Sequence, residues 1–168
     1  MTEGRVRPAT PDDVPVIDRL VRELAVYEKE PDAVEAVPED FRVALFGPDP
    51  KVHCHVAEVV DDTGKAEVVG MALWYVTFST WRGRHGIWLE DLFVRPGDRG
   101  LGLGRSLLQV LAAECTARGY ARLEWWVLDW NSPAHAFYRS LGARPEDEWT
   151  VWRLDGDRLS ALGGTTRR

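Results

Sequence analysis

The chain has 168 residues, a net charge of −6, and 45% hydrophobic and 29% charged residues. That is the size and balance of one soluble globular domain, 1–168, with enough chain to bury a core. The acidic excess argues against a nucleic-acid partner, whose phosphates need a basic surface, and suits a cationic one. No stretch approaches the ~18 apolar residues of a membrane span.

Val6 to Pro8 reads as the end of a first strand. Thr10 is a helix N-cap with Pro11 behind it, and Val14, Ile17, Leu20, Val21 and Leu24 recur at helical spacing. Pro31 stops continuation past Tyr27-Glu28, and Val37-Pro38 opens a second helix that Gly47-Pro48 ends. Val52–Val60 and Val68–Phe78 form a hairpin around Asp61-Asp62-Thr63-Gly64. After the loop Ser79–Gly86 comes a strand, Ile87–Val94, then a glycine loop and a long helix with Leu103, Leu107, Leu108, Leu111 and Cys115 on one face, stopped by Gly119. Strands are expected at Arg122–Leu128 and Glu148–Leu154. A short helix lies between them with Ala134, Phe137, Tyr138 and Leu141 on one side, Asp157–Leu162 gives a last helical turn, and 163–168 is expected to be a disordered tail. The order is that of a mixed α/β sandwich around one sheet.

The two cysteines sit in apolar patterns on different elements, which speaks against a disulfide scaffold and for a reducing compartment. MTEGRVRPAT carries no apolar signal region, so a cytoplasmic location is expected. His53 and His55 share a strand face, but no further ligands accompany them and no metal is expected.

Glycine stands at 100, 102 and 104, between Arg99 and Arg105. Such a loop turns backbone N–H groups inward and leads into a helix N-terminus, which together suit a pyrophosphate. A P-loop would need lysine after Gly104, where Arg105 stands. A dinucleotide fingerprint would need uneven spacing and a doubly wound parallel sheet. A purely structural tight turn also fits, as does the Arg-x-x-Gly-x-Gly loop of acetyl-CoA-dependent N-acetyltransferases, matched by Arg99, Gly102 and Gly104.

RPAT with LAVYE, STWRGR leading into WLEDLFV, RGLGLG, and VLDWNSPAHAFYRSLGA occur in that order between Arg7 and Ala143. On these stretches the chain resembles the GNAT superfamily of N-acetyltransferases, within it the diamine (spermidine/spermine) branch, and there most closely the thialysine-preferring members. The resemblance implies a mixed, mostly antiparallel sheet splayed at its centre, with helices on both faces and acetyl-CoA in the splay. It implies that the backbone of Leu92, Phe93 and Val94 pairs with the pantetheine arm. Arg99, Gly100, Leu101, Gly102, Leu103, Gly104 and Arg105 would hold the pyrophosphate, and Asn131, Ser132, Pro133 and Ala134 would flank the arm. Tyr138 falls on the tyrosine near the thioester sulfur. Tyr27, Glu28, Glu90, Glu124, Trp125 and Trp126 fall on the amine side. Relatives are usually homodimers, with Trp149–Leu154 a candidate dimer element.

Acetyl transfer needs a neutral amine, a stabilised oxyanion and a protonated leaving thiolate. Glu90 is the candidate base, because an apolar strand would desolvate it and lift its pKa. Asp91, alternating to the opposite face, reads as structural. Tyr138 is the candidate acid, and the Val94 N–H a candidate oxyanion donor. Cys115 reads as core. Glu28, Glu90 and Glu124 would form an acidic pocket with aromatic walls from Tyr27, Trp81, Trp125 and Trp126. Polyamine-acetylating relatives carry aspartate where this chain has Ser79, and Arg82, Arg84 and His85 add positive charge nearby. An arginine there could pair with a carboxylate, which favours a small lysine-like amine or a short diamine over spermine. A protein N-acetyltransferase and a non-catalytic acyl-CoA sensor on the same fold are the alternatives.

Overall fold

The computed structural model describes residues 3–164. The chain divides into two compact units, 1–126 and 127–168. Among the described residues no helix is long and apolar enough to cross a membrane.

The first unit is built on one five-stranded sheet in the order β1-β2-β3-β4-β5: β1 Glu3–Pro8, β2 His53–Val60, β3 Ala66–Ser79, β4 Arg84–Val94 and β5 Leu123–Glu124. The first four strands are antiparallel, and only β5 runs parallel to its neighbour. The β2–β3 turn closes as its chemistry dictates, with Asp61 accepting the Thr63 N–H at 2.8 Å. Helix α1 (Val14–Tyr27) is preceded by a single 3-10 turn at Pro11–Asp13, whose N-cap is Thr10. Asp13 closes that cap from the N3 position, taking the Thr10 N–H at 2.7 Å. The apolar face of α1 and that of α2 (Pro38–Phe46) close over Cys54, Val56, Met71 and Phe93. Helix α3 (Leu103–Arg118) buries Leu103, Leu107, Leu108, Leu111 and Cys115 and ends at Gly119, where φ is +66°.

A buried ion cluster ties β1, β2 and the start of α1 together. Arg7 grips Asp13 with two bonds of 2.7 and 2.9 Å and also reaches Glu58. Burial alone would raise the Asp13 and Glu58 pKa values, but the arginine bonds outweigh it and hold both carboxyls low.

β5 is far shorter than the expected Arg122–Leu128. Pairing covers Ile87 with Leu123 and Trp88 with Glu124 and goes no further. The cause lies in β4. Leu73 pairs with Asp91 and Trp74 with Leu89, so Glu90 is the extra residue of a β-bulge. A bulge bends its strand, and here the parallel pairing stops where the bulge starts. This is the splay expected at the sheet's centre.

The second unit holds α4 (Ser132–Ser140) and α5 (Gly156–Gly163). The strand expected at Glu148–Leu154 does not form. A strand exists through its ladder, and this segment has no ladder partner among the described residues. Its apolar side chains stay out, with Trp152 92% exposed. The tail expectation falls mostly outside the described residues; Gly163 closes α5.

Candidate active site

β4 carries the site in the first unit. From Leu89 to Val94 it pairs with β3 on one edge, while the pairing with β5 on the other has ended at Trp88. The Leu92–Val94 backbone therefore borders the splay. The bulge also resets which way side chains point. Simple alternation would send Glu90 and Asp91 to opposite faces; the extra residue breaks that alternation, and the two carboxyls interact with each other.

Their environments differ. Glu90 is exposed, and its Oε2 accepts the Trp88 indole N–H at 2.9 Å. The desolvation expected of Glu90 falls on Asp91 instead. Burial first, then the charges of Glu90 and Glu28, push the Asp91 carboxyl up to about 6. Burial lifts Glu28 as well. Tyr75, cross-strand from Trp88, is raised by burial and by the Glu90 charge. The acidic group is thus Glu28, Glu90 and Asp91. Glu124, the β5 partner of Trp88, has its carboxylate paired with Arg122 at 2.7 Å.

Trp126 stands edge-on to Trp88 with centroids 4.9 Å apart, and the Trp88 indole is the one bonded to Glu90. Trp125 is half-buried next to it in sequence. Trp81 is 89% exposed at the tip of the β3–β4 hairpin. Arg84, at the base of that tip, lies roughly 20 Å along the strand from Glu90, so within this unit Ser79–Arg84 is not brought to the acids. Sequence reading took Asp91 as structural and did not single out Tyr75. Adjacent acids in an otherwise apolar strand were the available signal for the first.

Past β4 the chain makes one 3-10 turn, Pro96–Asp98, and enters the glycine loop. Gly100 and Gly102 have φ of +88° and +77°, with open space around each Cβ position. The glycines are therefore needed for backbone conformation, not for packing. Gly102 is the N-cap of α3 and brings no capping side chain. The first i to i−4 bond runs from Ser106 to Gly102 at 2.9 Å, so the N–H groups of Leu103, Gly104 and Arg105 precede the helical ladder. Left-handed glycines leading into an uncapped helix N-terminus fit a pyrophosphate. Arg99 Nε donates to the Val94 carbonyl at 3.0 Å, and its guanidinium lies 4.8 Å from the Tyr27 ring centroid.

In the second unit Asn131 is buried and caps α4, its Oδ1 accepting the Ala134 N–H at 3.4 Å; Ser132 and Pro133 form the first turn. Tyr138 is half-buried beside Phe137. A cavity of about 260 Å³ is lined by Asp129, Ser132, His135 and Arg139; the sequence reading did not single it out.

The buried thiols are no nucleophiles. Burial holds Cys115 protonated and pushes Cys54 up to about 12. His53 and His55 pack on Trp74, whose indole N–H donates to His55 Nδ1 at 3.1 Å. Among the described residues no group of three or more potential ligands could hold a metal ion.

A sheet splayed beside a glycine loop and an uncapped helix defines a class, and residues 17–143 match the model of the acetyltransferase (GNAT) family. The chain belongs to that family and is an acetyltransferase. It is 39% identical over 165 residues to the thialysine N-epsilon-acetyltransferase of Bos taurus, covering 95% of this chain and 96% of that one. It is 29% identical to the L-ornithine N5-acetyltransferase of Arabidopsis thaliana, covering 95% and 87%. Among solved structures, an integron cassette protein from V. cholerae superposes with a TM-score of 0.75 at 25% identity, covering 95% of this chain and 97% of that one.

Proposed function

We propose that this acetyltransferase moves acetyl from acetyl-CoA to the terminal primary amine of a small lysine-like amino acid, thialysine being the first candidate, by direct attack in a ternary complex. The observation that carries the reading is the pairing of Glu28, Glu90 and Asp91 with the open edge of β4, one short loop away from the uncapped N-terminus of α3. The acids draw an ammonium in, and the aromatic pair Trp88–Trp126 lines its path. Glu90, exposed and oriented by Trp88, takes the proton that the amine must lose before it can attack, directly or through water. Acetyl-CoA supplies the activated acyl group. The Leu92–Val94 backbone and the N–H groups from Gly100 to Arg105 are assigned to hold it, with the Val94 N–H facing the developing oxyanion. From the second unit, Asn131–Ala134 are assigned to the CoA arm and Tyr138 to protonating the thiolate. We further infer a single working domain over 1–168, a cytoplasmic location, a homodimer and no metal requirement.

The amino-acid preference is supported by the thialysine and ornithine relatives. The test is thiol release from acetyl-CoA across thialysine, lysine, ornithine, putrescine and spermidine. Fastest release with thialysine is expected. Fastest release with a diamine replaces the substrate class, and no release with any amine ends the small-amine reading.

A further inference from the structure

Two arginines leave the end of β4 and both engage α1. They stand four residues apart, and they meet two α1 residues that are also four apart, one helical turn. Arg95 Nε donates to both carboxylate oxygens of Glu23 at 3.2 and 2.9 Å, its Nη2 adds a bond of 3.0 Å, and its Nη1 reaches Glu67 at 3.0 Å. The Arg95 side chain is 22% exposed, so this fork is not a fully solvated surface pair. Arg99 holds the Val94 carbonyl and lies over the ring of Tyr27. The last two turns of α1 are thereby fastened twice to the segment that becomes the glycine loop. Glu28 follows Tyr27 directly, and its charge acts on Asp91.

We propose that Arg95 and Arg99 are positioning residues that tie affinity for the amine to occupancy of the glycine loop. An anion held by the loop fixes the segment from Arg95 to Gly102. Through the two arginines that segment fixes the end of α1, and with it the Tyr27-Glu28 edge of the acidic group. Coupling of this kind is reciprocal, so a bound amine tightens the hold on CoA by the same factor. A lysine at 95 would keep the charge but lose the fork, and so would keep part of the coupling.

The inference rests on reading the loop as the CoA pyrophosphate site, and the experiment separates the two. CoA binding to the full chain is measured first, by calorimetry. Thialysine affinity is then measured with and without saturating CoA, for the wild type, Arg95→Met, Arg95→Lys and Glu23→Gln. The wild type is expected to bind thialysine about five-fold or more tighter with CoA present. Arg95→Met and Glu23→Gln are expected to bring that ratio near one and to raise the amine KM more than they lower kcat, and Arg95→Lys to recover part of it. A merely structural clamp would lower the melting temperature and leave the ratio intact, which overturns the proposal. A wild-type ratio of one, with CoA bound, overturns it as well. A chain that binds no CoA overturns both this inference and the reading beneath it.

Discussion

The two halves of β4 are made of similar residues and are used differently. At Ile87 and Trp88 the strand lies between neighbours, β3 on one edge and β5 on the other. Ile87 is fully buried, and Gly86 sits so close to the residue leading into β5 that a Cβ there would be 2.8 Å from the Arg122 carbonyl oxygen. From Leu89 to Val94 the ladder continues on the β3 edge only, a bulge interrupts it, and two adjacent carboxyls are presented. A strand paired on both edges has spent its backbone groups, whereas one with a free edge keeps donors and acceptors for whatever lies alongside. The first half is therefore a place where changes should cost stability, and the second a place where they should cost turnover.

The largest effect is expected at the open half. Glu90→Gln keeps the size and the contact with the Trp88 indole but removes the proton acceptor, so kcat should fall about 10³-fold, near 4 kcal/mol, while the denaturation midpoint stays put. Unchanged turnover would take the base role away from Glu90. At the paired half the signs reverse. Gly86→Val forces a branched side chain against the Arg122 carbonyl, and chemical denaturation should show a loss of about 3 kcal/mol. An equally stable variant would mean that β5 yields easily, and the contrast between the two halves would weaken.

Much of this strand's surroundings was legible from residues alone. The α1 face was readable because Val14, Ile17, Leu20 and Leu24 repeat at helical spacing, and all four are buried. The stop at Gly119 was readable because a left-handed residue is nearly obligatory there. The glycine loop was readable for the same reason at Gly100 and Gly102. The bulge was not, because it is a property of the register between β3 and β4 and leaves no mark in either strand read alone. Two errors descend from it: the burial given to Glu90 instead of Asp91, and the full-length strand given to 122–128. The strand expected at 148–154 failed on different grounds. Alternating Trp149 and Val151 satisfy the pattern, but pattern supplies only a face, and the ladder needs a neighbour that the described residues do not provide.

The smallest effect is the one that dissects the acidic group. Desolvation and the charges of Glu90 and Glu28 push the half-buried Asp91 carboxyl up to about 6 in the folded chain, against an ordinary value of 3.8. A raised carboxyl pKa means that the folded state holds its proton more tightly than the unfolded state does. Its contribution is therefore intact below about pH 4, lost as the pH rises to about 6, and unfavourable above that. Asp91→Asn removes the half-buried charge and should raise stability by about 2 kcal/mol at pH 7, with little gain at pH 4, as urea denaturation at the two values would show. The same substitution should weaken the amine, because one of the carboxylates facing the ammonium is gone. In the wild type the amine KM should rise as the pH falls through 6, and in Asp91→Asn that inflection should flatten. If stability rises while the KM profile keeps its inflection near 6, the group that titrates against the amine is another one. Asp91 would then be a desolvation cost that the open half of β4 carries without using it.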